Sequence, residues 1–182
     1  MVRVEDLNIT FFHLPKNAGS SIATWLTKYA GGEEYFDEFR HASPKRLKPI
    51  FDDFGWSFCC VRNPWDRAVS WYNFFKGQGK LEMSFEDYMD QCIAGNWSAK
   101  YIKMPGGQME FVREVDYVIK YENLTEEFKV IQDKTQSKVP LIHTNKSKRT
   151  KYVDYYSKDD YINFIGERCA DEIKHFNYSF GG

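Results

Sequence analysis

Residues 9–22 read Ile-Thr-Phe-Phe-His-Leu-Pro-Lys-Asn-Ala-Gly-Ser-Ser-Ile: an apolar strand, a turn of small residues carrying one lysine, then a helix start. A strand that runs into a helix through such a turn commits this part of the chain to an α/β arrangement. It also aims the first N–H groups of the helix, and the positive end of its dipole, at the turn. Gly19 lets a ligand approach the backbone, Lys16 adds a mobile charge, and Ser20 and Ser21 add hydroxyl donors. The expected ligand is an anionic group, a phosphate or a sulfate. Here the lysine precedes the glycine, the reverse of the nucleotide-triphosphatase loop G-x-x-x-x-G-K-[ST].

A second passage repeats the logic. Residues 57–72 read Ser-Phe-Cys-Cys-Val-Arg-Asn-Pro-Trp-Asp-Arg-Ala-Val-Ser-Trp-Tyr, a strand ending at Arg62 followed by a helix opened by Pro64. On that helix Asp66 and Ser70 are one turn apart and share a face. Arg62 and Ser70 are therefore expected to converge on one phosphate, with Arg67 a third basic group nearby that has a surface acid as its plainer partner. Two strand-to-helix anion sites in one small chain imply a ligand with anionic groups at both ends.

The rest of the chain reads as a single unit without internal repeats, 182 residues suiting one domain over 1–182. Strands are expected at Asn8–Leu14, Phe58–Val61 and Asp116–Tyr121. Helices are expected at Ser20–Tyr29, from Pro64 toward Phe75, from a Ser84 cap with Asp87 in the capping-box position, at Glu122–Lys134 and at Lys158–Lys174. Residues 95–107 read as a loop that contributes to an acceptor site. Alternating strands and helices predict a central, mainly parallel sheet flanked by helices, with ligands at the C-terminal ends of the strands.

Composition narrows the classes. Apolar residues make up 42% and the net charge is −1, which excludes a disordered chain and a general nucleic-acid-binding surface. The aromatic share of 18% is high, and most of those rings are expected in the core. There is no apolar stretch of the roughly 20 residues a membrane span needs, and Met-Val-Arg-Val-Glu-Asp lacks an apolar leader, so a soluble or cytoplasmic protein is expected. The cysteines, Cys59, Cys60, Cys92 and Cys169, show neither a C-x-x-C pair nor metal-ligand spacing and read as buried thiols.

Together these residues resemble the carbohydrate-type (family 2) sulfotransferases. Pro15-Lys16-Asn17-Ala18-Gly19-Ser20-Ser21 looks like that family's loop for the 5′-phosphosulfate of PAPS (3′-phosphoadenosine 5′-phosphosulfate). Residues 61–70, Val-Arg-Asn-Pro-Trp-Asp-Arg-Ala-Val-Ser, look like its 3′-phosphate motif, with Arg62 and Ser70 as ligands. Leu141 through Ser147, then Tyr152 through Tyr156 and Asp171 through Tyr178, resemble its closing pattern. The resemblance implies a P-loop-like sulfotransferase fold and transfer of a sulfuryl group from PAPS to a hydroxyl, releasing PAP. No metal is expected, since the sequence has no ligand cluster and Lys16, Arg62 and the helix ends can meet the donor's charge. The implied acceptor is a carbohydrate hydroxyl. A nucleotide kinase on the same scaffold and an inactive PAP- or PAPS-binding module are the alternatives.

Such a transfer needs a base for the hydroxyl and a cation for the leaving phosphate. Lys16 is the expected cation. His41 lies between the two PAPS-like motifs, where the family places its catalytic histidine, and is the expected base; Glu33, Glu34 and Glu38 are the alternatives. His13 reads as a packed strand residue and His175 as a helix packing residue, while His143 is either structural or part of the nucleotide pocket. In the basic stretch 146–151, Lys148 and Arg149 are expected to reach the nucleotide together with Asn145; the plainer reading is a solvated loop.

Overall fold

The computed structural model of the protein describes residues 1–96, 101–103, 106–142 and 149–182. Along the chain the strands are β1 (Val2–Val4), β2 (Ile9–Phe12), β3 (Glu33–Glu34), β4 (Trp56–Val61) and β5 (Tyr117–Lys120). The helices are α1 (Gly19–Tyr29), α2 (Pro44–Leu47), α3 (Pro64–Gly77), α4 (Phe85–Ile93), α5 (Met109–Val112), α6 (Leu124–Glu127), α7 (Lys129–Thr135), α8 (Asp159–Arg168) and α9 (Ala170–Phe176). They group into two compact units, one of Met1–Arg62 with Gln108–Lys146, the other of Asn63–Gly107 with Ser147–Gly182.

The first unit holds the sheet, in the order β3-β1-β2-β4-β5. Its centre is parallel as expected: β2 pairs with β4 and β4 with β5 in that sense. β1 and β3 are antiparallel additions, β1 pairing with both β2 and β3. The sequence reading missed β1, because Val-Arg-Val is too short for an alternation to stand out. It also began β2 one residue early. Asn8 is a left-handed turn residue (φ 50°) that closes the β1–β2 connection, a conformation asparagine tolerates better than most.

β2 is buried along its whole length, so it reads as a continuous apolar run rather than an alternation. Ile9 and Phe11 join Val2, Val4, Phe58, Cys60 and Ile119 on one face, against Ile22 and Leu26 of α1, Leu124 of α6 and Ile131 of α7. A buried side chain of this size stabilises the fold by about 1.5–3 kcal/mol. At the start of β5, the Asp116 carboxylate accepts from the Ser57 amide at 2.8 Å and its hydroxyl at 3.0 Å, pinning the register to β4. The expected helix at 122–134 is instead a 3-10 turn (Tyr121–Asn123) followed by α6 and α7, which meet at Phe128.

The second unit is helical. The Trp65 indole donates to the Ile162 carbonyl at 3.0 Å, and the Tyr156 hydroxyl donates to the Trp65 carbonyl at 2.8 Å, tying α3 to the C-terminal segment. Tyr72 meets Phe85 and Tyr155 edge-on and Tyr88 at a tilt, and Phe85 meets Tyr156 edge-on. At α4 the expected capping box is present: Ser84 Oγ accepts from the Asp87 amide at 3.0 Å, and Asp87 reaches back to the Ser84 amide at 3.3 Å. The last expected helix is two, α8 and α9, divided at Cys169 (φ −110°, ψ 22°). All the cysteines are buried thiols, and burial pushes those of Cys59, Cys92 and Cys169 up to about 12.

No helix among the described residues is long and apolar enough to cross a membrane.

Candidate active site

β2 ends at Phe12, and the chain then turns through His13-Leu14-Pro15-Lys16-Asn17-Ala18 into α1. Lys16 (φ 69°) and Ala18 (φ 59°) both hold left-handed backbone, which bends the turn back on itself. Ala18 is the residue before the helix, and its carbonyl accepts from the amides of Ser21 and Ile22 at 2.9 and 3.2 Å. Alanine has no side-chain oxygen, so α1 begins without a side-chain cap. An anion beside the turn would meet an uncapped helix start, the fit that a phosphate or sulfate requires. Ser20 is half-buried and Ser21 buried in this first turn, with Pro15 and Lys16 half-buried ahead of them.

Gly19 is required by its neighbour. A Cβ built there would lie 1.8 Å from His13 Cδ2 and 2.1 Å from His13 Nε2. The imidazole of His13 thus lies directly against the first residue of α1. Burial, followed by the charges of His41 and Arg40, lowers the His13 pKa from 6.5 to about 2, so the ring is neutral. His41 meets it edge-on, with ring centroids 4.6 Å apart, and its Nδ1 is 2.9 Å from the His13 carbonyl. A carbonyl can only accept, so Nδ1 carries the proton and Nε2 is the proton-accepting nitrogen. Although His41 is exposed, the atoms around its ring displace enough water to lower its pKa, against the His13 carbonyl, which raises it.

The end of β4 is joined to this turn by buried amides. Asn17 is fully buried, and its Nδ2 donates to the Cys60 carbonyl at 2.8 Å and to Gln108 Oε1 at 2.7 Å. The Gln108 amide brackets Arg62, accepting from its N–H and donating to its carbonyl, both at 2.9 Å. The parallel register Val61↔Lys120 brings Arg62 beside Tyr121, the residue after β5. The Arg62 guanidinium lies 3.9 Å from the Tyr121 ring centroid, and its Nη1 donates to the Lys16 carbonyl at 3.0 Å. Burial, and then the Arg62 charge, lowers the Lys16 pKa from 10.5 to about 8. Two cations brought this close favour an anionic ligand between them.

Sequence reasoning missed Gln108 and Tyr121. Gln108 is the last residue before α5, well beyond the 57–72 passage, and no spacing rule links it to Arg62. Tyr121 was legible only as the end of a strand.

Several expected ligands belong to the second unit. Ser70 is half-buried on α3. The start of α3 is supplied from within: Asn63 Oδ1 accepts from the Trp65 amide at 3.1 Å, and Asp66 stands in the first turn. Arg67 is buried and donates to the Gly106 carbonyl at 2.8 Å. Arg149 is ion-paired to Asp66, so the structure gives it a protein partner. Asn145, Lys148 and His143 lie outside the described residues. Of the alternative bases, Glu33 and Glu34 form β3, and Glu34 Oε1 is 3.3 Å from Arg40 Nε. Among the described residues no group of three or more His, Cys, Asp or Glu is arranged to hold a metal ion.

The fold is thus an α/β sheet, parallel at its centre, whose strand ends carry the Lys16 turn and the bracketed Arg62. Residues 57–137 match the sulfotransferase domain family. A solved structure of a sulfotransferase from Alicyclobacillus acidocaldarius is similar over 75% of this chain and 60% of that one, at 14% identity and a TM-score of 0.46. This chain therefore spans less than two thirds of that relative's length. No curated protein matches the sequence significantly.

Proposed function

We propose that this protein transfers a sulfuryl group from PAPS to a hydroxyl, with a carbohydrate the favoured acceptor. The observation that carries the reading is the hydrogen bond from Arg62 Nη1 to the Lys16 carbonyl at 3.0 Å, which brings the two sequence passages side by side. The match of residues 57–137 to the sulfotransferase domain family supports it.

In the reaction the acceptor oxygen forms a bond to sulfur as the bond between sulfur and the 5′-phosphate oxygen breaks, releasing PAP. His41 Nε2 takes the hydroxyl proton, its tautomer fixed by the His13 carbonyl. Charge builds on the leaving phosphate, where Lys16 and the uncapped start of α1 oppose it. Pro15, Asn17, Ala18 and Gly19 shape the turn, and Ser20 and Ser21 supply hydroxyls. Arg62 is assigned to the 3′-phosphate. Ser70, Asn145, Lys148 and Arg149 complete the nucleotide contacts in this proposal, Arg149 by exchanging its Asp66 partner for phosphate.

Calorimetry with PAP, and with ATP and ADP in the presence of magnesium, tests the ligand. PAP should bind more tightly; a preference for magnesium-ATP would replace this reading with a kinase. Turnover of labelled PAPS over a panel of sugars then tests the transfer, and binding without turnover would leave a nucleotide-binding module.

A further inference from the structure

We infer that Gln108 is a positioning residue of the nucleotide site, holding Arg62 and the Lys16 turn in the arrangement that grips the ligand; this rests on the PAPS reading above. The register of β4 with β5 ends at Val61↔Lys120, so the main chain of Arg62 lies one residue beyond the ladder. Arg62 is only 6% exposed, which leaves water little access to its backbone groups. Gln108, itself fully buried, takes the place of a strand edge there: Oε1 accepts from the Arg62 amide and Nε2 donates to its carbonyl, both at 2.9 Å. An amide side chain is suited to this because it offers a donor and an acceptor on adjacent atoms.

The same Oε1 accepts from Asn17 Nδ2 at 2.7 Å. Gln108 therefore touches both anion-binding passages through separate groups, Arg62 by its backbone and the lysine turn through Asn17. Without it, two buried main-chain groups and the Asn17 amide each lose a partner. The Arg62 side chain then loses the fixed backbone from which it reaches Lys16 and Tyr121. Gln108 contacts no reacting atom in this scheme. Its effect is felt through Arg62.

The test is a double-mutant cycle read by calorimetry with PAP, using wild type, Gln108→Met, Arg62→Ala and the double variant. Methionine keeps the length of the side chain and removes its hydrogen bonds. Gln108→Met should weaken PAP binding about tenfold. The double variant should bind no worse than Arg62→Ala alone, since an arginine already misplaced has little left to lose. Additive losses, or wild-type affinity in a folded Gln108→Met, would overturn the role of Gln108 while leaving the nucleotide reading intact. A wild-type protein that fails to bind PAP would overturn that reading at the first titration, and this role with it.

Should Gln108→Met fail to fold, Gln108→Glu gives an independent readout. A protonated carboxyl can donate to the Arg62 carbonyl and accept from its amide, as glutamine does; the carboxylate cannot donate. PAP affinity of Gln108→Glu relative to wild type should thus recover as pH falls. A ratio that does not change with pH would overturn the proposal.

Discussion

Gly19→Ala sets a small gain in backbone order against a severe collision. The added Cβ would stand 1.8 Å from His13 Cδ2, 2.1 Å from Nε2 and 2.8 Å from Cγ, all inside contact distance. His13 has little room to retreat, being 4% exposed and flanked by the rings of Phe11 at 5.9 Å and His41 at 4.6 Å. Forcing atoms into such a space costs about 1–3 kcal/mol. Replacing glycine by alanine in a helix returns about 0.4–1 kcal/mol through the unfolded chain. The net is a loss of about 1–2 kcal/mol, and for a chain of this size each kcal/mol lowers Tm by about 2–4 °C. Gly166→Ala in α8 is the matched control: its nearest outside atom would be Trp65 Cζ2 at 3.8 Å, an ordinary contact, so Tm should hold or rise. Scanning calorimetry of both variants, and of Gly19→Ala combined with His13→Ala, decides the matter. In the combined variant the imidazole is gone, so the alanine at position 19 should add no further loss. A Gly19→Ala protein as stable as wild type, or strictly additive losses in the pair, would refute the contact.

His41→Ala should keep its affinity for PAP and lose about 10²–10⁴-fold in turnover of labelled PAPS; unchanged turnover would move the base to another residue. Lys16→Met tests the buried charge. The Lys16 ammonium is held at about 8 against 10.5, so between those values the unfolded chain binds a proton that the folded chain has released, and folding gains stability as pH rises. In urea titrations the stability advantage of Lys16→Met over wild type should therefore shrink between about pH 8 and pH 10.5; a constant difference would mean that Lys16 is not desolvated. Arg62→Lys keeps the charge, but an ammonium lacks the planar fork that both lies against Tyr121 and donates to the Lys16 carbonyl. PAP binding by calorimetry should weaken about tenfold, and wild-type affinity would show that charge alone suffices.

What the sequence disclosed was local. The turn from β2 into α1, the Arg62–Pro64 passage and the Ser84–Asp87 cap are each written in consecutive residues, where turn and capping chemistry act directly. Gln108 could not be found that way, because its partners Asn17 and Arg62 are 91 and 46 positions distant and an isolated glutamine carries no spacing signal. Helix breaks at Phe128 and Cys169 escaped for a related reason. The apolar spacing of Leu124, Phe128 and Ile131, and of Tyr161, Ile165 and Cys169, runs on through the breaks, so periodicity alone reports a single helix. Arg149 shows the limit for charges: a basic run predicts an anion nearby, and Asp66 is one.

Lysine and alanine are poor occupants of left-handed backbone, yet Lys16 and Ala18 both adopt it within three positions. Each departure is worth roughly 1–2 kcal/mol against the fold. That tension sits in the turn proposed above to meet the anion. Glycine at position 18 would keep the same curve without that cost, at the expense of a freer unfolded chain. On the function proposed above, the exchange trades a fixed cradle for a more pliable one.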